Sequence, residues 1–414
     1  MKYVWQSQCI LYLSPSACFC NGCIGQPIAN RHRLSPIGYP AKVCNVCVGQ
    51  PIADQYSEGA AVSQTHLYPL ITRPRFAHPI WGGTFLAEWL DLPPPRPERL
   101  GEIWLVYDTN PIIEGPLAGK TLAQVTDTFG AALVGERTMA RYGADFPLLA
   151  KFIDAADRLS IQVHPDDAYA HTYEAATGFH GKTEAWHILH VTQGADVVYG
   201  LARRSNRAEL AAAIAAGELE PLLHRLPVAP GDTVFVPAGT LHAINAGIVL
   251  FEIQQKSDLT YRVYDYGRID ATTGQPRALH IDKALDVTDY APALRGVVPP
   301  LSLAEGRDLL VACASFALER LTIAAPVDYL VDPATFEILT IIEGSTTLRW
   351  DSGARALRRG EAVVIPACLG GYTLLPTDDV RILRAYVPDL DALRYEFAQR
   401  GVDAGRVAQT VVEC

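Results

Sequence analysis

Gly231-Asp232-Thr233-Val234-Phe235-Val236-Pro237-Ala238-Gly239-Thr240-Leu241-His242-Ala243-Ile244-Asn245 is the stretch whose reading decides the fold. A Gly-Asp turn opens a short run of β-branched and aromatic residues, Thr233 to Val236, which suits a strand in length and composition. Pro237 and Gly239 then turn the chain and present His242 on the next strand.

Upstream stand two further segments, Ser160-Ile161-Gln162-Val163-His164-Pro165-Asp166-Asp167 and Gly181-Lys182-Thr183-Glu184. Gln162 and His164 lie two residues apart in an apolar run with strand character, so both side chains point to one face of a sheet. With Glu184 and His242 they supply two imidazoles, a carboxylate and an amide oxygen to one metal ion. Such a set leaves positions open for water or substrate, as catalytic sites do. A single buried histidine is more often a satisfied core residue than a ligand, so the weight rests on the four together.

From about residue 66 the pattern is mostly β. Short runs at 158–163, 197–200, 233–236, 248–253 and 261–264 are broken by Gly, Pro and Asp. Helices are expected over 122–142, 206–226 and 390–400. Beyond Pro299-Pro300 a second β block echoes the first, Arg359-Gly360-Glu361 to Pro366-Ala367 paralleling Pro230-Gly231-Asp232 to Pro237-Ala238. Gly371 stands where His242 would, so one metal site per chain is expected. The spacing Gly231-Asp232-x4-Pro237-x-Gly239-x2-His242-x2-Asn245 resembles the second motif of the cupin superfamily. That resemblance implies a mainly β chain of two cupin-type double-stranded β-helix (jelly-roll) barrels. The expected divisions are a catalytic barrel over 66–300 with a helical insertion at about 204–226, and a degenerate barrel over 301–414 without metal ligands, closed by a C-terminal helix.

Residues 1–65 differ in kind, holding six of the nine cysteines. Cys20-Asn21-Gly22-Cys23-Ile24-Gly25-Gln26-Pro27-Ile28-Ala29-Asn30 recurs almost unchanged from Cys44 to Asp54. The spacing would suit a four-thiolate zinc ribbon. The favoured expectation is a disordered tail without function, reflecting repeated DNA upstream of the true start, with Val62 as an alternative initiator.

Of the 414 residues 49% are hydrophobic, enough for a large core, and the formal charge of −10 disfavours nucleic acid and anionic lipid as partners. No apolar run approaches the roughly 20 residues needed to cross a bilayer, and the N-terminus is poor as a signal peptide. A cytoplasmic monomer or homodimer acting on a small molecule, without membrane association, is the expectation.

The chain resembles the type I phosphomannose isomerases over residues 66 to about 390. The resemblance rests on Ile80-Trp81-Gly82-Gly83, Gly101-Glu102-x-Trp104, Phe146-Pro147-Leu148-Leu149-x-Lys151-Phe152-Ile153-Asp154, the two ligand segments above, and Glu252-Ile253-Gln254-Gln255-x-Ser257-Asp258-x-Thr260-Tyr261-Arg262-Val263-Tyr264-Asp265. It implies interconversion of mannose 6-phosphate and fructose 6-phosphate through a cis-enediol. It assigns Zn2+, one per chain with other divalent metals possible, to Gln162, His164, Glu184 and His242. It places Arg262 and Glu252 at active-site positions; Lys182, two residues before Glu184, would face the same pocket and join them as a catalytic group, and the proton carrier is Glu252, Lys182 or a zinc-bound water. Ser160 and Arg268 match positions implicated in binding the phosphate of the sugar. Two rival readings remain on the same scaffold: a sugar-phosphate-binding cupin without catalysis, and an iron-dependent oxygenase.

Overall fold

The computed structural model describes residues 66–270 and 273–413. The cysteine repeat, with its zinc-ribbon and disorder readings, lies outside the described residues. Two antiparallel sheets form the first barrel. One runs in the order Arg75–Ala77, Glu102–Val106, Leu148–Ala155, Ile248–Gln255, Glu184–Val191, Thr233–Val236. The other runs Tyr261–Tyr264, Ile161–Val163, His242–Ile244, Asp196–Leu201, Leu223–Pro227.

The second barrel repeats the plan. Its six-stranded sheet runs Leu301–Ala304, Arg307–Ala312, Ala317–Ile323, Val380–Tyr386, Glu337–Glu343, Ala362–Ile365, and faces the strands Val327–Leu330, Gly371–Pro376, Ser345–Trp350 and Gly353–Arg358.

Strands Leu148–Ala155 and Ile248–Gln255 are buried at every position. The cause is that both faces of their sheet are covered. Ile153, Trp186 and Leu250 pack inside the first barrel against Val197, Tyr199 and Ile244. Their neighbours Phe152, Ala185 and Phe251 join a shared core with Leu318, Ile338 and Ala385 of the second barrel. Phe146 meets Phe336 at 4.8 Å between ring centroids, and each such buried ring contributes about 1.5–3 kcal/mol. A two-way backbone bridge between Leu70 and Val364 adds hydrogen bonds of 2.8 and 2.9 Å. Because neither face meets water, both strands are mostly apolar, and the polar groups they carry, Lys151, Asp154, Glu252, Gln254 and Gln255, are buried as well.

Two helical expectations need correction. Residues 122–142 form three short helices, Leu122–Phe129, Ala131–Val134 and Glu136–Tyr142, broken at Gly130 and Gly135. Gly135 has φ +85°, and a Cβ there would lie 2.2 Å from the Ala334 carbonyl carbon, so the chain presses against the second barrel only as glycine. In the second case the helix is Arg207–Ala216, capped by Asn206 and ended by left-handed Gly217. Leu223–Pro227 is instead a strand paired with Asp196–Leu201, beginning at buried Leu223 and then alternating half-buried and exposed from His224 to Pro227.

The barrels share one register with one difference in charge. Glu184 sits opposite Val236, just before Pro237, and Glu337 sits opposite Ile365, just before Pro366. Lys151 pairs with Glu252 across the first sheet; at the corresponding rung of the second, Glu319 pairs with Arg384. The Arg384 guanidinium lies 2.5 Å from Glu319 and 3.6 Å from Glu337. Burial opposes ionisation of Glu319, but Arg384 and Arg307 more than offset it and hold its carboxyl below the ordinary range. Arg384→Met is therefore expected to destabilise the fold by about 3–5 kcal/mol, because two buried carboxylates lose their shared cation. Urea unfolding of the variant checks this, and an unchanged midpoint would contradict it.

Candidate metal centre and active site

Strand register gathers the site. On the smaller sheet of the first barrel, Arg262 sits opposite Gln162 and Gln162 opposite His242, so three side chains from three strands form one rung. On the facing sheet, Trp104, Lys151, Glu252 and Trp186 form another rung. Side chains across a rung point to the same face, here the barrel interior. Together they line a cavity of about 180 Å³ that also includes Glu102, Ser160, Lys182, Glu184, Asp258 and Arg277.

His164, Glu184 and His242 each offer a ligand atom, and these atoms lie within 4.8 Å of one another. His164 Nε2 is 3.3 Å from Glu184 Oε1, and His242 Nε2 is 3.7 Å from Glu184 Oε2. The other ring nitrogens are committed. Nδ1–H of His164 donates to the Leu259 carbonyl at 2.7 Å, and Nδ1–H of His242 donates to the Thr240 carbonyl at 2.8 Å. Both Nε2 lone pairs are thereby left facing Glu184, the arrangement that orients imidazole ligands on a metal. Burial, with Lys182 adding repulsion, pushes His164 down to about 3, and burial lowers His242 as well, so both rings are neutral and available as ligands. Burial disfavours the Glu184 carboxylate, yet Lys182 and His164 beside it hold it well below its ordinary value.

The Gln162 amide nitrogen stands 3.3 Å from His242 Nε2 and its oxygen 3.5 Å from Ser160 Oγ. Rotating the amide by half a turn turns the oxygen toward the imidazole side, an exchange that leaves the heavy-atom outline unchanged. Lys182 Nζ lies 2.8 Å from Glu184 Oε1 and 3.2 Å from His164 Nε2. An ammonium thus sits among donors that together suit a divalent cation. The donor set fits a metal with mixed nitrogen and oxygen preference.

Backbone contacts stitch the ligand-bearing segments together. Gly239 N–H donates to the His164 carbonyl at 2.9 Å, Lys182 N–H to Pro165 at 2.9 Å, and Gln255 N–H to Thr183 at 3.2 Å. Gly239 has φ +85°, with space for a Cβ closed by the Val287 carbonyl at 3.0 Å, so the turn before His242 requires glycine.

Beside the ligands lies an acid–base pair. Lys151 Nζ is 3.0 Å from Glu252 Oε1, and Trp186 Nε1–H donates to Glu252 Oε2 at 3.0 Å. The Lys151 contact is ionic in distance but lacks hydrogen-bond alignment, leaving Oε1 without a directed donor. Burial, reinforced by the Glu184 charge and only partly offset by Lys151 and Lys182, pushes Glu252 up to about 7. Lys151 itself is raised: the carboxylates of Glu102, Glu252 and Glu184 outweigh its burial.

At the other end Arg262 Nε–H donates to Ser160 Oγ at 3.2 Å and its terminal nitrogen to the Ala278 carbonyl at 2.9 Å. Arg268 is placed differently. It is absent from the cavity lining, and its guanidinium is spent on Asp265 at 2.6 Å and on Asp157. Arg277 lines the cavity in its stead, held by Asp265 at 2.8 Å. Sequence reading singled out neither Arg277 nor Lys151 as site residues. The available signal for Lys151 was a lysine inside the mostly apolar strand Leu148–Ala155.

Comparisons with known proteins identify the relatives of this chain. The profile of the phosphomannose isomerase type I catalytic domain matches residues 70–199. Mannose-6-phosphate isomerase ManA of Bacillus subtilis is 35% identical over 320 residues, 74% of this chain and 95% of that protein. The crystal structure of the mannose 6-phosphate isomerase from Bacillus subtilis superposes with a TM-score of 0.68 at 33% identity, covering 77% of this chain and 99% of that one. A zinc-bound mannose 6-phosphate isomerase, 19% identical, shares the fold with a TM-score of 0.62 over 78% of this chain and 100% of its own. Two cupin barrels, the matched catalytic region and near-complete coverage of such relatives place this chain in the type I phosphomannose isomerase family.

Proposed function

We propose that the first-barrel cavity interconverts mannose 6-phosphate and fructose 6-phosphate through a cis-enediol, with a divalent metal, zinc by preference, held by Gln162, His164, Glu184 and His242. The observation that carries this reading is the pairing, in one cavity, of a metal-fitting donor set with a buried carboxylate poised near neutrality. When bound, the metal supplies Lewis-acid polarisation of the sugar oxygens. The relatives named for this reaction support the substrate, and the zinc-bound fold relative supports the choice of metal.

The protein's own groups divide the remaining work. Glu252 carries the proton between C1 and C2, its acidity matched to neutral pH. Trp186 holds its Oε2 by a hydrogen bond, and Lys151 stands as counter-charge 3.0 Å from Oε1. Lys182, against Glu184 and His164, stabilises negative charge on the enediol oxygens. Ser160, Arg262 and Arg277 form the cationic end that receives the phosphate, and Arg262 also faces the developing enediolate from the rung beside Gln162. Arg268 braces Asp265, which in turn aims Arg277. A charged sugar phosphate does not cross membranes unaided, which suits a cytoplasmic enzyme. No helix among the described residues is long and apolar enough to cross a membrane.

The test is conversion of mannose 6-phosphate to fructose 6-phosphate before and after chelation and zinc restoration. Chelator-sensitive turnover supports the reading; ligand binding without turnover in any metal state would favour the non-catalytic alternative, and oxygen consumption by an iron-loaded sample the oxygenase. Arg262→Ala is expected to keep its metal and lose about 10²–10³-fold in kcat/KM, the scale of one lost electrostatic partner. Full activity in that variant would contradict its placement.

A further inference from the structure

A second group of potential ligands lies outside the cavity. Asp167 and His171 are four residues apart on the helix Asp167–Tyr173 and so share a face. His180 meets them from the loop after Gly178. Ligand atoms of all three lie within 4.8 Å of one another, with His171 Nε2 and His180 Nδ1 3.1 Å apart. We propose that Asp167, His171 and His180 form a second divalent-metal site, for zinc or another imidazole-preferring transition ion, that staples this helix to the loop ahead of Lys182.

The groups behind the ligands carry the argument further. His180 Nε2 faces Asp145 Oδ2 at 3.2 Å. A carboxylate accepts, so the His180 proton sits on Nε2 and its Nδ1 lone pair points at His171. That is the carboxylate–imidazole arrangement that orients a metal-bound histidine. Asp145 is itself held by Lys256 at 2.7 Å, and Lys256 by Asp108 at 3.0 Å. Asp167 is anchored too: its Oδ1 accepts from Gly181 N–H at 2.8 Å and from Gln255 at 2.9 Å. The competing arrangement is an imidazole–imidazole hydrogen bond with Arg141, 3.9 Å from Asp167 Oδ2, as the nearby cation.

Two imidazoles and a carboxylate suit zinc, cobalt or nickel better than magnesium or calcium. The two ligand sets share no residue, so the sites fill independently. His171 is exposed, and its replacement leaves the core untouched.

The experiment counts metal by mass spectrometry after the full chain is equilibrated with micromolar zinc and freed of unbound ion. His171→Ala, His171→Gln and His180→Ala are each expected to hold one equivalent less than the wild type, with isomerase turnover unchanged in the His171 variants. The double replacement of His171 and His180 loses no more than either alone. His242→Ala loses a different equivalent, and its combination with His171→Ala loses two. Because each comparison is a difference against the same chain, any zinc held by the N-terminal cysteines cancels. Equal zinc content in the wild type and the His171 variants overturns the proposal.

Discussion

His242→Ala is expected to lose bound metal and isomerase turnover together. The imidazole is buried, its Nδ1 fixed by Thr240, and its Nε2 lies 3.7 Å from the Glu184 carboxylate. Alanine leaves Gln162, His164 and Glu184, and gains no donor in exchange. On the proposed assignment the loss of Lewis-acid stabilisation alone lowers kcat/KM by more than about 10³-fold, since removing a single hydrogen-bond donor to a developing oxyanion costs about 10²–10³. Metal content by mass spectrometry and turnover should fall in step. A variant that retains metal but not activity, or activity but not metal, would separate what this reading joins.

Glu252→Gln is expected to act in the opposite pattern: metal stays and proton transfer goes. General acid–base catalysis contributes about 10²–10⁴-fold, so kcat should drop by that range while zinc content is unchanged. The wild-type pH profile supplies a second check. Glu252 is pushed up to about 7, and the base must be ionised, so kcat/KM should fall as pH drops through its pKa. Part of that elevation comes from the Glu184 charge, which a bound cation offsets, so the acid limb of the loaded enzyme lies at or below about 7. Loss of this limb in the variant, with Lys182 intact, assigns the proton to Glu252. An unchanged profile would hand the role to Lys182.

The ligands and the barrel were legible because their signals are local: a turn with Pro237 and Gly239, an alternation at Gln162 and His164, a repeat of the Gly-Asp strand. What escaped is set by register between distant strands. Lys151 meets Glu252 only because strands a hundred residues apart pair in one alignment, which no short window displays. The family resemblance points to Arg268 for the phosphate, and Arg277 carries no local sequence signal; in the fold Asp265 holds both side chains, and of the two only Arg277 lines the cavity. The helix expected to continue through 226 fails at Gly217, after which His224 to Pro227 alternate half-buried and exposed, a strand period that an Ala- and Leu-rich composition conceals.

The charge reversal between the barrels bears on how the molecule survives metal starvation. Where the first barrel surrounds Glu184 with groups that fit an exchangeable ion, the second sets Arg384, a cation that is part of the chain itself, between Glu337 and Glu319, with Arg307 also on Glu319. Chelators can strip the one and have no purchase on the other. Half of the shared core therefore keeps its electrostatic keystone under any metal supply, so on the proposed assignment depletion is expected to silence turnover, and reloading to revive it, without passage through an unfolded chain.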